Sequence, residues 1–180
     1  MATSRKQLPP ALGSILFVLF IPGTVVGLVP WLLSHWEPGA PWGDLALLRW
    51  LGAALFLAGM PTLLEAVGRF VRQGRGTPAP WMPTERLVAT GLYRFVRNPM
   101  YLGVLSMIVG QGLFFASIPV LCYAPVVACC FVLFVHLYEE PTLGRRYGEQ
   151  YLIYCLNVPR WLPRWTPWNG NGAAKHNDFQ

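Results

Sequence analysis

Two polar blocks hold the residues of this chain best suited to chemistry, and no Asp, Glu, Lys or Arg lies between Arg97 and Glu139 to join them. The first block reads Gly91-Leu92-Tyr93-Arg94-Phe95-Val96-Arg97-Asn98-Pro99-Met100-Tyr101-Leu102-Gly103. The second opens with His136-Leu137-Tyr138-Glu139-Glu140-Pro141 and runs on through Tyr147-Gly148, Tyr151, Tyr154 and Val158-Pro159-Arg160. Adjacent carboxylates, a guanidinium and phenol rings at the two ends of one apolar stretch suggest a site assembled at the membrane surface from blocks far apart in sequence. Asn98-Pro99 predicts a helix start, since Asn is a favoured N-cap and Pro a favoured first helical residue. His136, an ionisable group at membrane depth, is a functional candidate by default. No Cys pair has metal-ligand spacing, and no metal is expected. No Gly-x-Gly-x-x-Gly fingerprint follows a strand, so a Rossmann-type nucleotide site is not supported.

The elements that must bring these blocks together are apolar helices. The uncharged stretch can cross a bilayer core and return, at about 20 residues per crossing. A hairpin of that kind sets both blocks on one membrane face. Hydropathy predicts an all-α integral membrane fold of about four spans: Leu12 to Leu33, Ala46 to Val67, Met100 to Ala116 and Pro119 to Tyr138. Pro22 and Pro30 should bend the first and Pro61 should interrupt the second. Ala116-Ser117-Ile118-Pro119 leaves room only for a tight turn between the last two. Pro141 is expected to end the fourth helix. The first span is taken as uncleaved, because its apolar run is longer than a signal-peptide core and lacks a small-x-small cleavage site.

Composition agrees. Apolar residues make up 54% of the 180 and charged residues 12%, against about a quarter charged in soluble domains. The net charge of +6 could point to nucleic acid, but the basic residues are interleaved with apolar spans rather than gathered on a soluble face. Their placement sets topology instead. Arg5 and Lys6 precede span one, Arg69 to Arg97 fall between spans two and three, and Arg145 to Lys175 follow span four. Every basic residue except Arg49 therefore falls on one side, which predicts a multi-pass protein with both termini cytoplasmic. A single domain over 1–168 is expected, with its motif region at 84–163 and a disordered tail at 169–180. The Pro- and Gly-rich connection from Arg72 to Thr90 reads either as a plain extended spacer or, as Trp81 and Met82 favour, as a loop at headgroup level. The cysteines are read as small apolar packing residues in a reducing compartment. A Glu65–Arg69 pair at i,i+4 is expected at the end of span two.

The blocks resemble the isoprenylcysteine carboxyl methyltransferase family and, more broadly, integral-membrane methyltransferases that include the phospholipid N-methyltransferases. The shared pattern is Gly-x-Tyr-x-x-x-Arg-His-Pro-x-Tyr-x-Gly, an apolar hairpin, Glu-Glu, then Phe/Tyr-Gly-x-x-Tyr-x-x-Tyr and Val-Pro. It covers about Thr84 to Pro163. The resemblance implies S-adenosylmethionine as methyl donor, bound at the cytoplasmic face, and a lipophilic or membrane-accessible acceptor (a thiol, an amine or a carboxylate) entering from the lipid bilayer. It further implies donor contacts from Arg86, Leu87, Val88, Tyr93, Asn98, Pro99, Met100, Tyr101 and Glu139, with Glu139, Glu140 and Arg97 carrying the chemistry and Glu140 orienting Arg97 or another nearby basic residue. Arg160 and Arg164 are read as membrane-anchoring side chains.

The chain departs from the pattern at two places. Asn98 stands where the family has His; it can donate hydrogen bonds but cannot change charge near neutral pH. Val135 stands where the eukaryotic prenylcysteine enzymes place an Arg, so a carboxylate acceptor would lack its bidentate partner. A non-catalytic membrane scaffold or cofactor sensor is the alternative that these departures keep open. A small transporter is disfavoured, because Gln111 and Glu65 are the spans' only evident polar lining.

Overall fold

A computed structural model describes residues 16, 19–39, 46–73 and 87–170. All regular structure among them is helical, with no strand. Helix α1 (Leu19–Ser34) contains a π-helical segment, Gly23–Leu28. Helix α2 runs Leu47–Gln73, a short 3₁₀ turn occupies Gly91–Arg94, and α3 runs Pro99–Phe114. Helix α4 (Ile118–Phe134) continues through a π turn, Val135–Glu139, into α5 (Glu140–Tyr147), and α6 (Glu149–Asn157) follows. Helix α1 departs from α geometry beside its prolines: the π segment begins directly after Pro22, and Pro30 lies in the first turn of the α-helical segment Val29–Ser34 that follows.

Small residues set the distance between α2 and α3. A Cβ added to Gly59 would sit 2.6 Å from the Gly103 carbonyl oxygen, and one on Gly110 would sit 2.7 Å from that of Gly52. The helices therefore touch backbone to backbone at two levels, as apolar helices do when small side chains line their contact. Ser106 donates to the Leu55 carbonyl at 2.8 Å across the same seam. Around it, Leu63, Val67, Met100, Val104, Met107 and Ile108 form the core, which Val26 and Val120 extend to α1 and α4. Gln111 is a polar side chain buried beside it: its amide donates to the Val26 carbonyl at 2.8 Å and accepts from the Trp36 indole at 3.0 Å. Both of its ends are satisfied, so it ties α1 to α3 without the penalty of an unpaired buried amide.

The outer faces are apolar. Leu47–Phe70 and Ile118–Tyr147 are long and apolar enough to cross a membrane, and only 17% and 22% of their most apolar windows are buried. Helices α1 and α3 are shorter apolar segments. The turn between α3 and α4 is as tight as the sequence requires: Ala116 takes a left-handed φ of 52° and the Ser117 N–H reaches the Gly112 carbonyl at 2.9 Å.

Two prolines behave differently from expectation. Pro61 lies inside an uninterrupted α2. Pro141 does not end its helix: it sits in the first turn of α5, and the wider π turn just before it accommodates both its ring and its missing N–H. The chain turns instead at Gly148, whose φ is 53°. The expected linker around Trp81 and most of the expected tail lie outside the described residues.

Candidate functional site

Successive residues on a helix point in different directions, and this divides the work of the two glutamates where the π turn meets α5. Glu139 faces α3, where the Tyr101 hydroxyl donates to its Oε2 at 2.7 Å. The Tyr101 ring lies 4.6 Å from that of Phe131 and 6.3 Å from that of Trp161, fixing its phenol between α4 and the C-terminal segment. Glu140 faces the other way and accepts from Arg97 Nη1 at 2.9 Å and from Arg160 Nε and Nη2 at 2.7 Å each. Glu140 thus holds two arginines at once, Arg97 from the first block and Arg160 from the C-terminal segment.

A strap formed by residues 158–169 lies across the first block. The Arg97 N–H donates to the Pro159 carbonyl at 2.9 Å, Arg164 N–H to Phe95 at 3.0 Å and Trp168 N–H to Arg94 at 3.0 Å. The Arg94 guanidinium returns the contact through the Trp168 carbonyl at 2.7 Å and the Asn169 amide oxygen. Asn98 occupies the cap position of α3, but its side chain caps nothing there. It is buried and donates to the Arg160 carbonyl at 3.1 Å, so it fastens the strap rather than the helix. Pro99 and Met100, next in the chain, are buried in the first turn of α3.

Tyr93 sits beneath this arrangement. Its carbonyl accepts from the Tyr154 hydroxyl at 2.7 Å and its ring meets Phe70 edge-on at 5.6 Å. Burial, followed by the Glu139, Tyr154 and Glu65 charges, holds its phenol well above the usual range. Tyr154 and Tyr151 are pushed up as well, again mainly by burial, with Arg97 opposing the shift in both. Leu87 packs on the cluster of Tyr151, Tyr154 and Val158, and Val88 belongs to the main core. Arg86 lies outside the described residues.

The structure therefore brings Tyr101, Glu139, Glu140 and Arg97 together from blocks 38 to 43 residues apart and places Tyr93 and Asn98 alongside. His136 does not join them: it is exposed on the helix exterior. Two participants escape a reading of the sequence, and a third does more than the pair expected of it. Arg160, expected at lipid phosphates, is engaged by Glu140, whose hydrogen bonds hold its guanidinium even more firmly charged. Cys155, read as packing, has its sulfur 2.9 Å from Arg97 Nη1. Glu65 forms the expected pair with Arg69 at 2.7 Å, yet its second carboxylate oxygen is buried without a hydrogen-bond partner. Glu65 also lines an open groove of about 450 Å³ with Pro61, Thr62, Leu92, Phe95 and Pro167. Gly91 makes this approach possible: its φ is 58°, and a Cβ there would lie 2.2 Å from Glu65 Oε1. The i,i+4 spacing signals the Glu65–Arg69 pair, but no signal in the sequence marks the contacts of Arg160 and Cys155.

A helical, membrane-compatible scaffold with a polar cluster at one end of its longest apolar helix is the class of protein that these features define. Residues 47–150 match the phospholipid methyltransferase family, and the chain belongs to that family of membrane methyltransferases. No curated protein and no solved structure matches the chain.

Proposed function

We propose that this protein is an integral-membrane methyltransferase that uses S-adenosylmethionine to methylate a lipophilic or membrane-accessible acceptor. Its topology would place both termini and the cluster around Glu139 and Glu140 at the cytoplasmic face. The observation that carries the reading is the convergence of Tyr101–Glu139 and Arg97–Glu140–Arg160 on one end of the apolar hairpin.

The residues present fit the donor. Glu139 offers a carboxylate to an ammonium or to ribose hydroxyls. Arg97 carries a buried Nε without a partner, a free donor suited to the carboxylate of an amino-acid head. Tyr101 supplies aromatic surface beside Glu139, and buried Tyr93 supports it from beneath. When bound, the donor supplies an electrophilic methyl group on a positively charged sulfur. The chain's own part is to hold and align that group and to exclude water, which is what an in-line displacement asks of a protein. Glu140 fixes the Arg97 guanidinium, Asn98 and the backbone bonds of the strap keep the first block in place, and neutral Tyr93 adds no charge beneath the site. The groove beside Glu65 opens next to Leu92 and Phe95, a route by which an acceptor could approach from the apolar side.

Binding of S-adenosylmethionine and its demethylated product to the purified protein tests the proposal, followed by labelled-methyl transfer to lipid extracts. Saturable binding with transfer supports it. Absence of binding by protein that keeps its helical circular dichroism would leave a non-catalytic scaffold. Reporters fused after Gln180 and inserted near Gly39 test the topology, with the first expected cytoplasmic and the second external.

A further inference from the structure

Among the described residues, the side of α6 and of the strap that faces away from the site exposes large apolar side chains. On α6, Tyr151 and Tyr154 point inward, while Leu156 is 87% exposed and Leu152 also faces out. The strap adds Leu162, 80% exposed, and Trp165, 99% exposed. Arg145 and Arg146 are exposed on the adjoining α5, and Arg164, between Leu162 and Trp165, is half-buried and donates from Nη1 to the Asn157 carbonyl at 2.6 Å while keeping its charge at the rim.

Helix length places this face. The continuous helix from Ile118 to Tyr147, free of charged residues up to Tyr138, has 30 residues, at most about 45 Å at 1.5 Å per residue, against a hydrocarbon core of about 30 Å. Its polar end, with Arg145 and Arg146, must therefore emerge among headgroups. The turn at Gly148 then redirects the chain into α6 at that level. Leucine and tryptophan side chains beside arginines are what an interfacial helix presents to a charged bilayer surface.

We propose that this outer face of α6 and residues 158–169 binds the headgroup layer of anionic lipids, and that this contact holds the strap closed on the candidate site. The occupant is a negatively charged lipid surface because the rim is basic: Arg145, Arg146 and Arg164 face a single exposed acid on these elements, Glu149. The coupling follows from geometry already described. The same strap whose outer side carries Leu162 and Trp165 gives its inner carbonyls to Arg97 and Asn98 and its Arg160 side chain to Glu140. Anything that seats the outer side therefore steadies the inner one. The inference rests on the membrane placement in the proposed function, but it is separable from donor chemistry.

The test uses the full chain in nanodiscs of phosphatidylcholine, with and without phosphatidylglycerol. Hydrogen exchange is followed across residues 158–169, together with quenching of Trp165 by brominated acyl chains, taken as the difference from Trp165→Phe. Anionic lipid should slow exchange in the strap and bring Trp165 within reach of the quencher. Arg145→Gln with Arg146→Gln should diminish the slowing by about fivefold per arginine, from about 1 kcal/mol for each basic side chain at an anionic surface. Exchange and quenching that ignore lipid charge would overturn the proposal, as would strap protection that appears only at protein concentrations where the chain dimerises. Donor affinity measured in the same discs keeps the two readings apart: a lipid-sensitive strap on a protein that binds no donor supports this surface and removes the methyltransferase assignment.

Discussion

Replacing Glu140 with alanine strips three charge-assisted hydrogen bonds at once, and the two arginines it serves differ in how much water reaches them. The Arg97 side chain is 13% exposed and that of Arg160 is 37% exposed. A hydrogen bond to a charged group contributes about 1.5–3 kcal/mol when buried. For Arg97 we therefore expect a coupling to Glu140 of about 2 kcal/mol, close to the middle of that range. Arg160 makes two bonds of 2.7 Å, but solvent screens it, so its coupling should fall near the top of the surface-pair range, about 1 kcal/mol. Their sum predicts that Glu140→Ala destabilises the protein by about 3 kcal/mol. Arg97 would suffer most, since its Nε already lacks a partner. The assay is a pair of double-mutant cycles, Glu140→Ala against Arg97→Met and against Arg160→Met, read by reversible unfolding in mixed micelles with circular dichroism. A coupling to Arg160 equal to or larger than that to Arg97 would refute the reasoning from burial. A total effect below about 1 kcal/mol would mean that the cluster is a solvated surface network.

Glu139→Gln and Tyr101→Ala should each weaken donor binding by about tenfold or more, the equivalent of a lost charged hydrogen bond, while helical content is retained; unchanged affinity would return Glu139 to the status of a helix end. Tyr93, Tyr151 and Tyr154 are all held above the usual phenol range, so above about pH 10 the unfolded chain releases protons that the folded chain keeps. Stability should therefore be unaffected by these groups below that pH and fall as pH rises through it, and tyrosinate absorbance should show their ionisation only together with loss of helix. Because Val135 provides no cation, prenylcysteine carboxylates should be poor acceptors beside uncharged lipophilic thiols or amines; robust transfer to the carboxylate in a labelled-donor assay would refute this. Asn98→Leu should cost about 1–3 kcal/mol by leaving the Arg160 carbonyl unpaired, whereas Asn98→His should retain most stability in the same unfolding assay.

The apolar hairpin and the meeting of its two polar ends were legible because both depend on counting: an uncharged stretch of known length must return its flanks to the same level. The Glu65–Arg69 pair was legible for a similar reason, since four residues make one turn. What resisted reading depended on departures from regular geometry or on contacts between distant backbones. The Gly52–Gly110 and Gly59–Gly103 approaches could be recognised only once α2 and α3 were known to pack against each other. Pro141 looked like a helix stop because its effect depends on the turn before it, and a π turn does not announce itself in residue types. Arg160 looked like a lipid-facing charge because nothing local to it shows that the strap folds back under Glu140.

The two departures from the family pattern acquire different meanings from this geometry. An Arg four residues before Glu139 would share its face on a regular α-helix, and the sequence argument about Val135 assumes as much. The π turn begins at Val135, however, so four residues no longer complete the same rotation, and Val135 is almost fully buried. An arginine there would require this turn to be wound differently, so the change is one of local helix geometry as well as of charge. Asn98 is the opposite case. Its amide makes a single buried contact with the strap carbonyl, a task that needs an N–H donor and nothing that titrates. A histidine could make the same bond through either ring nitrogen. The substitution therefore removes an acid–base group while leaving intact the attachment that keeps Arg97, Arg160 and Glu140 together. Proton transfer at this position is dispensable to that scaffold, and a methyl transfer that proceeds by alignment does not require it.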